Sequence, residues 1–181
     1  MKKLNLRVFL FMALCCDLGL FSKKLISPAA NLITDFLHIP GGISTSFSLM
    51  FLVLAASLVP AFGCGALMGA VQSLLALFFG MTGSMGVLAP VGYILPGLVI
   101  DLIFFLSRKI SDDPAPGIMP AMILSSAAAC LTATVLVFRL RGLVLLLYLS
   151  VSAASGSVCG LLAVNLYRRL KPVIFPVREA S

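Results

Sequence analysis

The sequence predicts an all-α integral membrane protein, with six transmembrane helices in one bundle and both the N and C termini in the cytoplasm. Three observations predict this fold class. Of the 181 residues, 61% are hydrophobic and only 10% are charged, whereas soluble domains are roughly 45–50% apolar and about 25% charged. Six apolar runs approach the roughly 20 residues that a helix needs to cross the hydrocarbon core. The basic residues are also unequally shared between alternate connections.

The six apolar runs define the predicted spans in chain order. Only helices or closed barrels satisfy backbone polar groups in lipid, and the runs are continuous rather than alternating, so helices are favoured. The runs cover residues 6–21, 43–59, 62–79, 87–106, 118–138 and 143–167. They use nearly the whole chain, which predicts a single membrane domain over residues 1–181.

The first run follows a basic N-terminus and could be taken for a signal peptide. Its segment "LCCDLGL" (residues 14–20) lacks the small-x-small pattern of a cleavage site. We therefore expect it to remain as the first membrane helix.

The net charge of +7 is explained by membrane orientation rather than by nucleic-acid binding. With the N-terminus inside, nine of the basic residues fall on the cytoplasmic side and four outside, as the positive-inside rule requires. The inner set is Lys2, Lys3, Arg7, Arg108, Lys109, Arg168, Arg169, Lys171 and Arg178, and the outer set is Lys23, Lys24, Arg139 and Arg141.

The connection predicted over residues 23–42 is long and partly apolar. It contains "TDFLHIPGG" (residues 34–42), which holds the only histidine, His38, beside Asp35. A solvated linker would not carry this much apolar content, so we expect an external lid folded onto the bundle. One His and one Asp are too few for a zinc site.

No sequence motif points to an enzyme. The chain has no protease, lipase or P-loop signature. We therefore expect no catalytic residues, no metal and no cofactor, and any ATP would have to be used by partner subunits.

Three polar residues in the spans need an explanation, because ionisable groups in lipid are costly. Asp17 is close enough in sequence to Lys23 and Lys24 for a local ion pair. Asp101 shares a helical face with Tyr93, which leaves two interpretations open: a cavity wall, or pairing towards Arg108 at the cytoplasmic surface. Gln72 should point into the bundle, either as an interhelical hydrogen bond or as a ligand for a polar substrate.

Small residues recur at four-residue intervals, as at Gly65 and Gly69 or at Gly156 and Gly160. Such spacing lets helix backbones approach closely in lipid. It serves either internal packing or docking of a partner protein, and the sequence leaves both open. The five cysteines fall in or beside the spans, where a free cysteine behaves as a small hydrophobe.

Three segments resemble a known family: "ANLITDFLHIPGG" (30–42), "GALMGAVQSLLALFFGMTGSMG" (65–86) and "YILPGLVIDL" (93–102). With the length and the six short spans, they resemble the S component, the substrate-binding membrane subunit of energy-coupling factor (ECF) vitamin transporters, and distantly its thiamine-precursor group. The resemblance implies vitamin uptake across the bacterial plasma membrane. A vitamin-like molecule would bind in an outer pocket lidded by loops 1, 3 and 5. A transmembrane coupling subunit and two cytoplasmic ATPases would energise transport.

The resemblance also implies site residues by position. The substrate-binding candidates are Asn31, Asp35, His38, Gln72, Ser84, Tyr93 and Asp101. The family docks on its coupling subunit through an Ala-x-x-x-Ala pattern on helix 1. Here Ala13 is followed four residues later by Asp17, and only Cys15 with Gly19 approximates the small-residue spacing. The docking candidates are therefore Ala13, Cys15 and Gly19.

Two other classes of function stay open. A small integral-membrane enzyme would use the Asp and His at the outer surface, and a membrane scaffold protein would bind no ligand. The lack of a catalytic constellation weighs against the enzyme.

Overall fold

A computed structural model describes residues 6–37, 43–59, 62–80, 86, 88–111, 113–138 and 142–174. Within these ranges the chain forms helices and no strand. The helices are α1 (Leu6–Leu37), α2 (Ile43–Leu58), α3 (Cys64–Phe78), α4 (Ala89–Ile110), α5 (Ala115–Ala133) and α6 (Leu143–Ile174). A π-helical turn, Thr134–Phe138, continues α5.

Helix length and composition confirm the helical membrane class. Three helical stretches are long and apolar enough to cross a membrane: Ala89–Ile110, Ala115–Leu136 and Leu143–Pro172. The apolar parts of α2 and α3 are shorter. Large apolar side chains such as Phe78 and Ile110, each 86% exposed, lie on the outside of the bundle, as expected where the surrounding solvent is lipid.

The predicted external loop over residues 23–42 is wrong for most of its length, because α1 continues to Leu37. The polar residues of this segment end the apolar run, but they do not end the helix. Pro28 inside α1 removes only one backbone donor, and a helix tolerates this at a local cost. At about 1.5 Å per residue, 32 residues span about 48 Å, well beyond the roughly 30 Å hydrocarbon core. Residues 38–42 lie outside the described ranges.

Helix α2 is the centre of the bundle, since it packs against each of the other five helices. Its residues 52–58 are all buried, as is Val59 directly after it, and Val53 and Ala55 are completely enclosed. A helix that is apolar on every side is expected at the centre of a bundle, whereas the outer helices bury one face.

The pair α3 and α4 is held in close contact by glycines. A Cβ atom built on Gly65 would lie 2.7 Å from the carbonyl oxygen of Gly97, and one on Gly69 would lie 2.5 Å from the carbonyl oxygen of Tyr93. Both obstacles are backbone atoms, so neither could move aside without separating the helices. The small-residue spacing therefore serves internal packing here.

Asp101 and Arg108 of α4 bind the ends of two neighbouring helices. The carboxylate of Asp101 accepts hydrogen bonds from the backbone N–H groups of Gly65 and Ala66, both at 2.8 Å. The guanidinium of Arg108 donates to the Val59 carbonyl at 3.0 Å, at the end of α2. Each charge thus faces the helix end of opposite partial charge. The predicted pairing of Asp101 towards Arg108 is replaced by these two caps.

The caps define one end of the bundle, called here the capped end, where α2, α4 and α6 finish and α3 and α5 begin. Met12 of α1 reaches it through the sulfur contact with Cys64. Tyr167 and Lys171 of α6 both donate to the Asp113 carboxylate at 3.2 Å. The beginning of α1 and the end of α6 therefore lie at the same end.

Candidate functional site: a cavity between the helices

A cavity of about 120 Å³ lies at the opposite end of the bundle, called here the cavity end. A single buried water needs roughly 10–15 Å³ on the same measure, so the cavity has room for a small organic molecule. Six helices contribute to its wall. The lining residues are Lys23, Thr45, Ser48, Leu49, Gln72, Gly92, Tyr93, Ser126, Ala129, Cys130, Ala133, Thr134, Tyr148 and Ser152.

A network of serines joins α2, α5 and α6 at the base of the cavity. The hydroxyl of Ser126 lies 2.9 Å from that of Ser46 and 2.8 Å from that of Ser152. Ser46 also lies 2.8 Å from the Ser155 hydroxyl. Hydrogen bonds of this kind hold helices together in lipid, where there is little hydrophobic drive between them. The network fixes the positions of the two lining residues Ser126 and Ser152.

Gln72 is 1% exposed and reaches from α3 to α1. Its Nε2 donates to the backbone carbonyl of Cys16 at 3.2 Å. Gly19 provides the space, since a Cβ there would lie 2.6 Å from the same nitrogen. One amide hydrogen is used in this bond, and an amide has a second hydrogen and an acceptor oxygen. Gln72 can therefore both bridge the helices and bind a ligand in the cavity.

Lys23 and Tyr93 form a polar pair on the cavity wall. The Lys23 ammonium donates to the Tyr93 hydroxyl at 3.0 Å, and its nitrogen lies 4.8 Å from the centre of the ring. Both side chains are partly exposed. The predicted ion pair of Asp17 with Lys23 or Lys24 does not form among the described residues. Six residues of α-helix turn Asp17 and Lys23 about 120° apart, and seven residues place Asp17 and Lys24 about 10 Å apart along the axis. Asp17 is exposed on the outer surface.

Irregular backbone borders the cavity on two helices. On α5, the π-helical turn begins at Thr134, whose hydroxyl donates to the Cys130 carbonyl. On α4, Pro96 lacks the N–H that would otherwise bond the carbonyl of Gly92. Single π-helical turns occur often at functional sites, and freed backbone groups in a membrane protein are tolerated where they line a cavity.

The charge of the cavity wall is positive. Lys23 is the one charged residue among the lining residues named above. Asp113 belongs to the capped end, where the hydrogen bond from Lys171 holds the pKa of that carboxyl below its ordinary value. Among the described residues, carboxylates are therefore found away from the cavity wall.

The structure brings two of the predicted substrate residues together. Gln72 and Tyr93 both line the cavity. Asp101 does not, because both of its oxygens cap the start of α3 at the other end of the bundle. The side chains of Asn31 and Asp35, and the whole of His38 and Ser84, lie outside the described residues; these four stay predictions.

Sequence reasoning missed Lys23, Tyr148 and the hydroxyl groups. A signal was present: hydroxyl residues cluster at the start of the second apolar run and in the middle of the sixth, as at Thr45 and Ser152. On a single helix, such residues are expected to form only local hydrogen bonds to the backbone. Their shared cavity appears only when the helices are placed side by side.

Two of the three predicted docking residues face inwards. Cys15 is 3% exposed in the core, and Gly19 packs against α2 and α3. Ala13 is exposed. The small-x-x-x-small spacing of Cys15 and Gly19 thus serves packing inside the bundle, as the spacing does between α3 and α4. The outer face of α1 carries Ala13 and, one turn later, Asp17.

Comparison with protein-family models, with curated proteins and with solved structures gave no match to this chain.

Proposed function

We propose that this protein is the substrate-binding subunit, the S component, of an ECF-type importer for a vitamin-like small molecule. It lies in the bacterial plasma membrane with six spans and both termini in the cytoplasm. The observation that carries the proposal is a cavity at one end of an apolar helical bundle, with hydroxyl, amide and ammonium groups set in a mostly apolar wall. The sequence resemblance supports the family, and the cavity supports the binding role.

The cavity has the properties of a ligand site rather than of a packing fault. A void left by imperfect packing in a lipid-facing bundle would be lined by apolar groups, because polar groups are costly there unless they have partners. This wall is mostly apolar by area, but it also carries hydroxyl, amide and ammonium groups. Thr45 and Tyr148 have no hydrogen-bond partner among the described residues, so their hydroxyls are available to a ligand.

The cavity lies at the end expected to face outwards. The helix connections at the cavity end are those between α1 and α2, α3 and α4, and α5 and α6; the last two are among the loops proposed as lids. The opposite, capped end carries Arg108, Lys109, Arg168 and Arg169. An excess of basic residues marks the cytoplasmic side. The position of the cavity therefore agrees with uptake from outside.

Energy for uptake would come from partners. The proposed partners are a transmembrane coupling subunit and two cytoplasmic ATPases, since the chain has no P-loop of its own. Because Cys15 and Gly19 lie inside the bundle, the proposed docking surface on α1 is its outer face around Ala13. Asp17 on that face would bind a donor on the coupling subunit, because an unpaired carboxylate in lipid is costly.

A ligand screen with a cavity-filling variant tests the proposal. Vitamin-like compounds, neutral and charged, are added to the purified protein, and the melting temperature is followed with a thiol-reactive dye that reports exposure of the buried cysteines. At least one compound should raise the melting temperature of the wild type. Ala133→Phe, which fills the cavity, should abolish the increase, and Ala154→Phe on the exposed face of α6 should preserve it. A ligand-free scaffold would show no increase with any compound.

A further inference from the structure

We propose that the ligand of this cavity carries a carboxylate, which binds between the ammonium group of Lys23 and the hydroxyl group of Tyr93. The inference rests on the proposed binding function and names the chemical class of the substrate. It depends on the position of one cation in the cavity wall.

The hydrogen-bond geometry leaves donors available on both residues. Lys23 donates to the Tyr93 oxygen at 3.0 Å, so this oxygen acts as the acceptor and the tyrosine keeps its own O–H to donate. An ammonium group has three hydrogens, and one is used in this contact. Two kinds of donor therefore stand side by side on the wall of the cavity. A carboxylate, with two acceptor oxygens, matches such a pair.

The charge balance also favours an anion. Among the described residues, the ion pair between Lys171 and Asp113 is at the other end of the bundle, and no acidic side chain neutralises Lys23. An unpaired cation in a partly buried site is stabilised when an anion binds beside it. One positive charge matches one carboxylate. A phosphate would carry up to one more negative charge than a carboxylate. The described residues of the cavity wall include no second cation to balance it.

The neighbouring lysine shows that Lys23 is more than an interface anchor. A lysine on the outside of a membrane helix usually keeps its ammonium group in water. Lys24, the next residue, is exposed. Lys23 instead turns inwards, contacts Tyr93 and lines the cavity. The two residues have the same side chain at adjacent positions, so they form a matched pair for experiment.

The other lining residues indicate the chemistry of the rest of the ligand. Leu49, Ala129 and Ala133 provide apolar surface, and Tyr148 provides both a ring and a hydroxyl. Gln72 offers an amide on the α3 side. We therefore expect a compact, partly apolar acid with one or more hydrogen-bonding groups away from its carboxylate.

Matched acid and neutral pairs test the inference by isothermal titration calorimetry in a neutral detergent. The probes are nicotinate with nicotinamide, pantothenate with panthenol, and biotin with its primary amide. At least one acid should bind more tightly than its neutral partner. Lys23→Gln should weaken binding of that acid about tenfold to a hundredfold, the range expected for loss of a hydrogen bond to a charged group. Lys24→Gln should leave the affinity unchanged, and Lys23→Arg should retain most of it.

The outcomes separate this inference from the proposed function. If neutral compounds bind as tightly as their acids, or if Lys23→Gln leaves acid binding unchanged, the carboxylate assignment is wrong while the binding role stands. If none of the probes and no screened compound binds, both are wrong. If the bound species is a phospholipid, seen by native mass spectrometry and lost in Lys23→Gln, the anion is a lipid phosphate and the carboxylate assignment is again overturned.

Discussion

The substitution Asp101→Ala is expected to destabilise the protein strongly without acting on the ligand directly. Asp101 accepts two backbone hydrogen bonds, both at 2.8 Å, and is 5% exposed. Its oxygens satisfy the first free N–H groups of α3, whose preceding residue, Gly63, provides no side-chain cap. Removing the carboxylate would leave the N–H groups of Gly65 and Ala66 without this partner.

The expected magnitude follows from these two contacts. Loss of a helix N-cap costs about 0.5–2 kcal/mol, and a buried donor left without its partner costs about 1–3 kcal/mol. Because the two N–H groups share one carboxylate and can relax together, these two costs overlap. We expect the free energy of unfolding to fall by about 2–4 kcal/mol. Asp101→Asn retains one acceptor oxygen and should lose less.

The assay is unfolding by sodium dodecyl sulfate in mixed micelles, followed by circular dichroism. Asp17→Ala is the matched control, because Asp17 is exposed on α1, and removing an unpaired carboxylate from the lipid-facing surface should not lower the stability. Amide exchange at Gly65 and Ala66 should become faster in Asp101→Ala. A loss below about 0.5 kcal/mol with unchanged exchange would refute the capping role. A large loss of ligand affinity at unchanged stability would restore Asp101 as a substrate residue.

Three further predictions concern packing, polar contacts and pH. Gly19→Ala should displace the amide of Gln72, which should lower the free energy of unfolding by about 1–3 kcal/mol and weaken ligand binding. If calorimetry shows an unchanged affinity, Gln72 does not contact the ligand. Ser126→Ala should cost about 0.6–1.7 kcal/mol in the detergent unfolding assay, and no loss would mean that the serine network does not join the helices. The pKa of Asp113 is lowered by Lys171, so this contact stabilises the protein above the ordinary carboxyl pKa and is lost as the pH falls through the lowered value. The stability difference between wild type and Lys171→Ala should therefore disappear in acid, and a difference that persists there would contradict the ion pair.

Sequence patterns predicted the membrane class and the order of the helices because these depend on local composition. Apolar runs long enough for a membrane leave few alternatives to a helix. The inward position of Gln72 was also predictable, since it continues the face marked by Gly65 and Gly69. These features need only the period of the α-helix.

The extent of α1 was not predictable from hydropathy. The apolar run ends at Phe21, where polar residues begin, but the helix itself continues to Leu37. Backbone hydrogen bonds are satisfied within a helix on both sides of the membrane surface. The end of an apolar run therefore does not determine the end of a helix.

The roles of Lys23 and Asp101 depend on residues distant in the sequence. Lys23 contacts Tyr93, which is 70 residues later, and Asp101 contacts Gly65, which is 36 residues earlier. Neither contact follows from the pattern of one helix, because both depend on how neighbouring helices are rotated. The polar residues of the spans were recognised as unusual, but their partners were not.

Native mass spectrometry of the protein released from its own membranes shows whether the cavity holds a substrate. Wild-type protein should carry one small molecule of vitamin-like mass. Ala154→Phe should keep it, and Ala133→Phe, which fills the cavity, should lose it. If wild-type and Ala133→Phe proteins carry the same bound species, or if neither carries any and none can be loaded, the cavity is not a substrate site and the proposed binding function is wrong.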